Sequence, residues 1–373
     1  MMRKSTINRV TKFALILFGI WPNASCIMFC RIFWTVTIAM ILICHYLYIV
    51  KNYSYDNIFN LLESVSTFLG FLKLMFKFGL FWFNQRIFDK VLTMMAEDWN
   101  ECTNSDVEIH EILNKEKISN YITNMIITLH TVLVIFYGIS IILDNVDIAN
   151  YTSYDLPHIY KAVMPFSINT QGAYKVVLIL EWLHLIMTSW GMGIINALLL
   201  ILILHVGGQI NILCSWLAEL MSKADTGKSV IILMTEKIIR NLYTFIAFVQ
   251  FTTNTMMICL LGFLVVTALG NPDATERIMK AISYYCVTNI EAFVFCYAGE
   301  YLMNQSKAIG LAAYSTAWYE LEPKQSRILL FIILRAQKQL TLTVGNMTDL
   351  SLQCFATIMN SAGSYLSVLL AMQ

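Results

Sequence analysis

Charged residues are scarce in this chain. Only 13% of its 373 residues are charged and 58% are hydrophobic, whereas a soluble domain usually has about a quarter charged and about half apolar residues. The net charge of +1 gives no indication of a nucleic-acid partner. This composition indicates a membrane protein rather than a soluble domain.

The motifs of common enzyme active sites are also missing. The sequence contains no glycine-rich phosphate loop, no cysteine and histidine pattern with metal-ligand spacing, and no serine-centred nucleophile elbow. We therefore expect that the protein is not an enzyme, and the sequence indicates neither a cofactor nor a bound metal.

Prolines are few, and they avoid the apolar stretches. Seven stretches are long enough to cross a bilayer as helices, and all five prolines lie outside them. This placement suits unbroken helices, whose interior backbone hydrogen bonds must all form within lipid. Asn289, Glu291 and Glu300 interrupt the sixth stretch. We predict an all-α membrane protein whose seven transmembrane helices cover residues 33–50, 61–83, 122–143, 176–205, 242–269, 281–303 and 347–371.

Basic residues predict the orientation of these helices. Residues 1–32 contain five Lys and Arg residues and no acidic residue, and with this end inside the cell the inner segments hold 18 basic residues against 5 in the outer loops. We predict a cytoplasmic N-terminus and an extracellular C-terminus. None of the nine cysteines lies in an outer loop, so no outer disulfide is expected.

Glycosylation sequons agree with this orientation in part. Asn52 and Asn150 begin sequons in the predicted outer loops and are the predicted glycosylation sites. Three further sequons, at Asn23, Asn304 and Asn346, do not lie in outer loops.

An apolar run near the N-terminus has two interpretations. Residues 13–21 are apolar, follow a basic start and precede Pro22 and small polar residues. This pattern fits a signal peptide, and it also fits a helix that lies on the inner membrane surface.

The last stretch carries polar side chains at helical spacing. Ser361, Ser364 with its neighbour Tyr365, Val368 and Met372 follow one another at steps of three and four residues, so they share one helix face. Serines on a helix face are unsuited to lipid, so this face meets other protein or water. From spacing alone, packing between helices through small residues competes with a water-filled pathway.

Ionisable side chains also occur inside the predicted spans. Lys73 and Lys77 could extend toward the cytoplasm, but Lys73 lies deep enough to need a partner such as Glu291 or Glu300. Glu181 and His184 lie three residues apart on one face. Pairing between helices explains these residues, and a place in a ligand cavity is an alternative for Glu181.

Several short motifs lie in the C-terminal part of the chain. The sequence reads AYSTAWY at 313–319, RAQ at 335–337, LSL at 350–352 with Phe355, and GSYLSVLLAM at 363–372. In these residues the chain resembles insect odorant receptors. The match is specific over residues 310–373, and elsewhere it rests on the number of spans and the lengths of the loops.

This resemblance implies an odorant-gated cation channel subunit that forms a heterotetramer with a shared co-receptor in the plasma membrane of olfactory sensory neurons. The short segment 206–241 implies an odour-tuning subunit, as does an alanine where the co-receptor has glutamine. Four regions follow from the resemblance and the spans: a cytoplasmic segment (1–32), a six-helix bundle with a ligand pocket in its outer half (33–303), a cytoplasmic anchor region that includes the apolar run 328–334 (304–346), and a pore-lining helix (347–373).

The resemblance also implies two groups of site residues. By position, Val368 and Met372 correspond to the hydrophobic constriction of the pore, and the same helix contributes Ser361, Tyr365 and Ala371. The ligand, a small volatile hydrophobic molecule, is expected among the second, third, fourth and sixth spans, with candidate contacts from Phe68, Phe71, Phe136, Tyr137, Trp182, Leu185, Met187, Tyr284, Tyr285 and Thr288.

Three other classes of membrane protein remain as alternatives. A G-protein-coupled receptor would have the opposite orientation, and the sequence has no Asp-Arg-Tyr after the third span and no Asn-Pro-x-x-Tyr in the seventh. A transporter would show an internal repeat or a pair of broken spans, and neither is found. A gustatory-receptor-like channel usually has Gln-Phe where this chain has Ala371 and Met372.

Overall fold

The computed structural model describes residues 7–52, 58–101, 106–143, 156–160, 162–163, 168, 170–218, 227–268, 274–316, 319, 323–345 and 347–371. These residues are mostly helical, as predicted. The elements are α1 (Arg9–Leu17), α2 (Ile27–Lys51), α3 (Ile58–Phe83), α4 (Gln85–Glu101), α5 (Asp106–Leu143), α6 (Gln171–Ala218), α7 (Gly227–Ala268), α8 (Ala274–Tyr314), α9 (Pro323–Ala336), β1 (Thr343–Val344), β2 (Thr348–Asp349) and α10 (Leu352–Ala371).

The predicted spans correspond to helices α2, α3, α5, α6, α7, α8 and α10. Among the described residues, five of these helices are long and apolar enough to cross a membrane: α2, α3, α5, α6 and α7. Several helices are longer than the spans. For example, α5 begins at Asp106 rather than near Ile122, and α8 continues to Tyr314 rather than ending near Met303. Hydropathy misses these extensions because their residues are polar.

The predicted start of the last helix was wrong. The span was expected to begin at Met347, but α10 begins at Leu352, because the chain first forms an antiparallel hairpin in which Thr343 pairs with Asp349. Gly345 adopts the left-handed conformation with φ of 54° in the turn between the two strands. The hairpin buries Val344, and Leu350 just after it is also buried.

Helix α6 forms the centre of the bundle. Its sequence is apolar around the whole circumference, which is typical of a helix buried on all sides, and residues 191–210 are buried without exception. Helices α5 and α8 pack along it, and α7 packs on α8. By contrast, α2 leaves a broad apolar face exposed, including Phe29, Val36 and Ile43. An exposed apolar surface of this kind suits lipid.

The N-terminal segment is packed into this bundle. Leu15, Phe18 and Ile20 are buried. The Trp34 indole donates to the carbonyl of Leu17 at 3.0 Å, and the Trp82 indole donates to that of Phe18 at 3.2 Å. Helix α1 and the residues that follow it therefore pack against α2 and α3.

The apolar run at 328–334 lies in helix α9, as the sequence suggested for an anchor helix. Leu329 is buried where α9 packs on α8. Leu330, Phe331 and Leu334 remain exposed on the other side. The described residues therefore cover only part of the apolar surface of α9.

Gly299 allows the chain entering α10 to pack closely against α8. A Cβ atom at this position would lie 2.2 Å from the carbonyl oxygen of Leu350, which is backbone that cannot move aside without shifting the start of α10. We expect Gly299→Ala to destabilise the fold by about 1–3 kcal/mol. The measurement is the loss of monodisperse protein on heating in detergent.

Gly172 in α6 provides the matched control, because a Cβ there meets no atom within 4 Å. Gly172→Ala should leave the melting temperature unchanged or slightly higher. Equal melting temperatures for the two variants would contradict the close approach at Gly299.

Candidate functional site

A cavity of about 110 Å³ lies between α3, α5, α6 and α8. Each helix contributes residues at steps of three and four, so one face of each helix lines the space. The lining residues are Thr67, Gly70, Phe71, Lys73, Leu74, His130, Leu133, Val134, Tyr137, Leu185, Thr188, Ser189, Met192, Ser283, Tyr284, Val287 and Glu291. These four helices correspond to the second, third, fourth and sixth spans, among which the family resemblance implies the ligand.

Four of the ten candidate ligand contacts line this cavity: Phe71, Tyr137, Leu185 and Tyr284. The structure places the other six, Phe68, Phe136, Trp182, Met187, Tyr285 and Thr288, outside the lining. Several of them are sequence neighbours of lining residues, but one step along a helix turns a side chain by about 100°. Phe136, for example, is 50% exposed although Tyr137 lines the cavity.

Gly70 and Tyr284 meet at the wall of the cavity. A Cβ atom at position 70 would lie 1.9 Å from the Tyr284 hydroxyl oxygen. That hydroxyl donates to the carbonyl of Ser66 at 3.2 Å. The glycine therefore leaves the space that the tyrosine side chain occupies between α8 and α3.

A buried ion pair forms part of the lining. The Lys73 ammonium is bonded to the carboxylate of Glu291, and both side chains are almost fully buried. Lys73 also donates to Asn254 Oδ1 at 3.2 Å, and Gln250 donates to the same Glu291 oxygen at 3.0 Å. The predicted partner of Lys73 is thus confirmed as Glu291, and α3, α7 and α8 are joined at one point.

Lys77 also turns inward. It is buried, donates to Asn196 Oδ1 at 2.9 Å and lies over the Phe295 ring at 5.2 Å. The expectation that Lys73 and Lys77 extend toward the cytoplasm was wrong for both residues, because each finds polar partners within the bundle.

Glu181 bonds to the chain that precedes α6. Its carboxylate lies 3.0 Å from His158 Nδ1 and accepts the backbone N–H of Ile159 at 3.0 Å. The Tyr160 hydroxyl lies 3.3 Å from His184 Nδ1. Glu181 does not line the cavity described above. Interior pairing is confirmed for Glu181, although its partner belongs to residues 156–160 rather than to another helix.

Helix α10 has two different faces. Cys354, Ile358 and Ala362 are buried against α7 and α8. Nearer the end of the helix, Tyr365 and Val368 are each 58% exposed. Ser361 is half-buried and Ala371 is exposed, whereas Met372 lies outside the described residues. The described residues therefore leave Tyr365 and Val368, which belong to the face identified from spacing, uncovered.

The structure describes one of the two predicted glycosylation sites. Asn52 follows α2, and its side chain donates to the carbonyl of Tyr48 at 3.1 Å. Asn150 lies outside the described residues. The described part of the chain contains no group of three His, Cys, Asp or Glu residues arranged to hold a metal.

A sequence profile of the 7tm odorant receptor family matches residues 57–363, which is most of the chain. The chain belongs to the 7tm odorant receptor family. Its members are receptors, so the protein is not an enzyme, as the sequence indicated. The family that the sequence motifs indicated is thereby confirmed.

Two curated odorant receptors show how far sequence similarity extends. Odorant receptor 10 of Aedes albopictus is 34% identical over 131 residues, covering 35% of this chain and 34% of that protein. Odorant receptor 2a of Drosophila melanogaster is 32% identical over 121 residues, covering 32% of this chain and 30% of that protein. The receptor thus matches about a third of the length of these relatives.

The fold is similar to that of a solved insect olfactory receptor over nearly the whole chain. The structure of OR5 from Machilis hrabei in complex with eugenol superposes with a TM-score of 0.81, covers 98% of both chains and is 16% identical. Because only 16% of the residues are identical, this likeness establishes the fold alone.

Breaking the Lys73–Glu291 pair should destabilise the receptor strongly. Either Lys73→Met or Glu291→Gln leaves one buried charge without its partner, which typically costs about 3–5 kcal/mol. The double variant Lys73→Met/Glu291→Leu removes both charges and should recover most of the loss. The three variants are compared by the thermal stability of the solubilised receptor. A double variant as unstable as the two single variants combined would contradict this account of the pair.

Proposed function

We propose that the receptor is the odour-tuning subunit of an odorant-gated cation channel. It binds a small volatile molecule in the cavity within its helical bundle and opens a pore formed with a co-receptor in a heterotetramer. It acts as a multi-pass protein in the plasma membrane of olfactory sensory neurons.

The uncovered polar face of α10 is the observation that carries the channel proposal. Tyr365 and Val368 are exposed, while Cys354, Ile358 and Ala362 of the same helix are buried. Ser364, which belongs to this face, is also exposed; its hydroxyl donates to the carbonyl of Asn360, and its oxygen can still accept hydrogen bonds from water. Such a face is unsuited to lipid, but it suits a symmetry axis where several chains surround water. Val368 and Met372 then form the hydrophobic constriction, which closes the pore by excluding water.

The topology proposed for the receptor has seven transmembrane helices: α2, α3, α5, α6, α7, α8 and α10. The distribution of basic residues supports a cytoplasmic N-terminus and an extracellular C-terminus. The segment 1–32 and the anchor region 304–346 then lie at the cytoplasmic side, the bundle 33–303 holds the ligand, and 347–373 contains the pore helix. The exposed face of α9, with Phe331, suits a contact between subunits.

Helix α8 connects the cavity with α10. Tyr284 and Glu291 line the cavity, and further along α8 the Phe293 ring contacts Phe355 of α10 edge-on, with centroids 5.8 Å apart. Glu300 accepts the backbone N–H of Leu352 at 3.3 Å. A ligand that binds more tightly to the open arrangement shifts the population toward it, and α8 is the element that carries this shift to the pore helix.

The cavity suits a compact, largely apolar molecule. An apolar cavity of about 150 Å³ in another protein binds benzene, so about 110 Å³ fits a ligand of similar size. Phe71, Val134 and Leu185 supply apolar contacts. The related fold of the Machilis hrabei receptor was solved with eugenol, a small aromatic molecule.

Two sequence features favour the tuning subunit over the co-receptor. The segment 206–241 is short, and the alanine at position 371 replaces a glutamine of the co-receptor. This chain then contributes no amide to the conduction path at that position, so the co-receptor subunits mainly set ion selectivity.

The test is whole-cell current in cells that express this chain alone, the co-receptor alone, or both. A panel of volatile alcohols, esters, hydrocarbons and eugenol is applied with G-protein signalling blocked. We expect an odour-evoked cation current in the paired cells at ligand concentrations that leave the co-receptor alone silent, because this chain supplies the ligand cavity.

Two outcomes would contradict the proposal. A response of this chain alone that disappears when G proteins are blocked would support a metabotropic receptor. A current from this chain alone that survives the block would instead support a channel that needs no co-receptor, as in the gustatory-receptor-like alternative.

A further inference from the structure

His130 is a buried histidine in the wall of the cavity. It lies on α5 and is 2% exposed, and its Nδ1 atom lies 2.9 Å from the hydroxyl oxygen of Ser189 on α6. Both side chains line the cavity. The second ring nitrogen, Nε2, is fully buried and has no hydrogen-bond partner among the described residues.

The other polar side chains of the cavity are already engaged. The hydroxyl groups of Thr67, Thr188 and Ser283 donate to backbone carbonyls of their own helices. Tyr284 donates to Ser66, and Lys73 is bonded to Glu291. A buried polar atom without a partner costs free energy, so a ligand that bonds to His130 Nε2 gains more than one that bonds to an engaged group.

We propose that His130 Nε2 is the hydrogen-bonding anchor of the cavity and that it selects small neutral molecules with one hydroxyl group. This inference rests on the proposed function, because it assigns the ligand class of the same cavity. Ser189 is the positioning residue, since its bond to Nδ1 holds the ring in its orientation.

The hydroxyl group is favoured because it suits either tautomer of His130. If Ser189 donates to Nδ1, then Nε2 carries the proton and donates to the ligand oxygen. If Nδ1 donates to Ser189, then Nε2 accepts the ligand hydroxyl proton. A ligand hydroxyl group can bond to Nε2 in both tautomers, whereas a ligand carbonyl group can do so only when Nε2 carries the proton.

Charge in the cavity restricts the ligand to neutral molecules. The two charged side chains of the lining, Lys73 and Glu291, are opposite in sign and bonded to each other. A carboxylate or ammonium ligand would compete for one member of this pair and leave the other buried without its partner. A neutral alcohol or phenol leaves the pair intact.

The experiment compares matched probes on the receptor expressed with its co-receptor. Benzyl alcohol is paired with ethylbenzene, and phenol with toluene, because the members of each pair have the same number of non-hydrogen atoms. We expect each hydroxylated probe to act at a concentration about 3- to 10-fold lower than its hydrocarbon partner, which is the effect of one neutral hydrogen bond. His130→Phe keeps the ring and should remove this advantage while responses to the hydrocarbons stay similar.

Three variants complete the design. His130→Gln retains a donor and an acceptor and should restore part of the preference. Leu133→Ala enlarges the cavity on the same helix and should weaken both members of each pair alike. His110→Phe, the same substitution at an exposed position of α5, should leave every response at the wild-type level. If His130→Phe does not reach the cell surface, the hydroxylated and hydrocarbon probes are compared in His130→Leu instead, which also lacks Nε2.

Either of two results would overturn the proposal: a wild-type receptor that does not prefer the hydroxylated probes, including one silent to all four, or a His130→Phe variant that keeps the preference. Odour-evoked currents from other volatiles in the same paired cells would leave the channel function intact in both cases. The failure of the anchor is thereby distinguishable from the failure of the channel.

Discussion

The buried ion pair between Lys73 and Glu291 is the constraint on which the bundle depends. An ionised side chain deep in an apolar bundle must find its partners within the protein, and here one point joins α3, α7 and α8 through Lys73, Glu291, Asn254 and Gln250. The same pair forms part of the cavity wall. The same two side chains therefore contribute both to the stability of the bundle and to the electrostatics of the cavity.

The position of α8 extends this constraint to the last helix. One part of α8 carries Glu291 and lines the cavity, and the part that follows holds the start of α10 through the Phe293–Phe355 contact and the close approach of Gly299 to Leu350. Helix α10 is buried along only one face. Consecutive parts of one helix, α8, thus contact the cavity and α10, and this arrangement gives a physical basis for coupling between them.

Much of the fold could be predicted because lipid limits the options: apolar stretches must be helices, and charges inside them must pair. The hairpin before α10 was missed because it depends on a glycine turn that hydropathy does not detect. The site was predicted less well. The candidate residues were chosen from the four helices that line the cavity. The rotation of each helix is set by packing, however, so the exposed Phe136 was chosen together with Tyr137, which lines the cavity. His130 was overlooked, although an ionisable residue inside a predicted span is itself a signal of function.

Accessibility of α10 to a thiol reagent tests most directly whether its uncovered face lines the conduction path. Val368→Cys is expressed with the co-receptor, and a membrane-impermeant reagent is applied during the odour-evoked current. The account predicts an irreversible loss of current that proceeds faster with odorant present. Ala362→Cys, on the buried face of the same helix, and the wild-type receptor should keep their currents. Loss of current in Ala362→Cys but not in Val368→Cys would contradict the account.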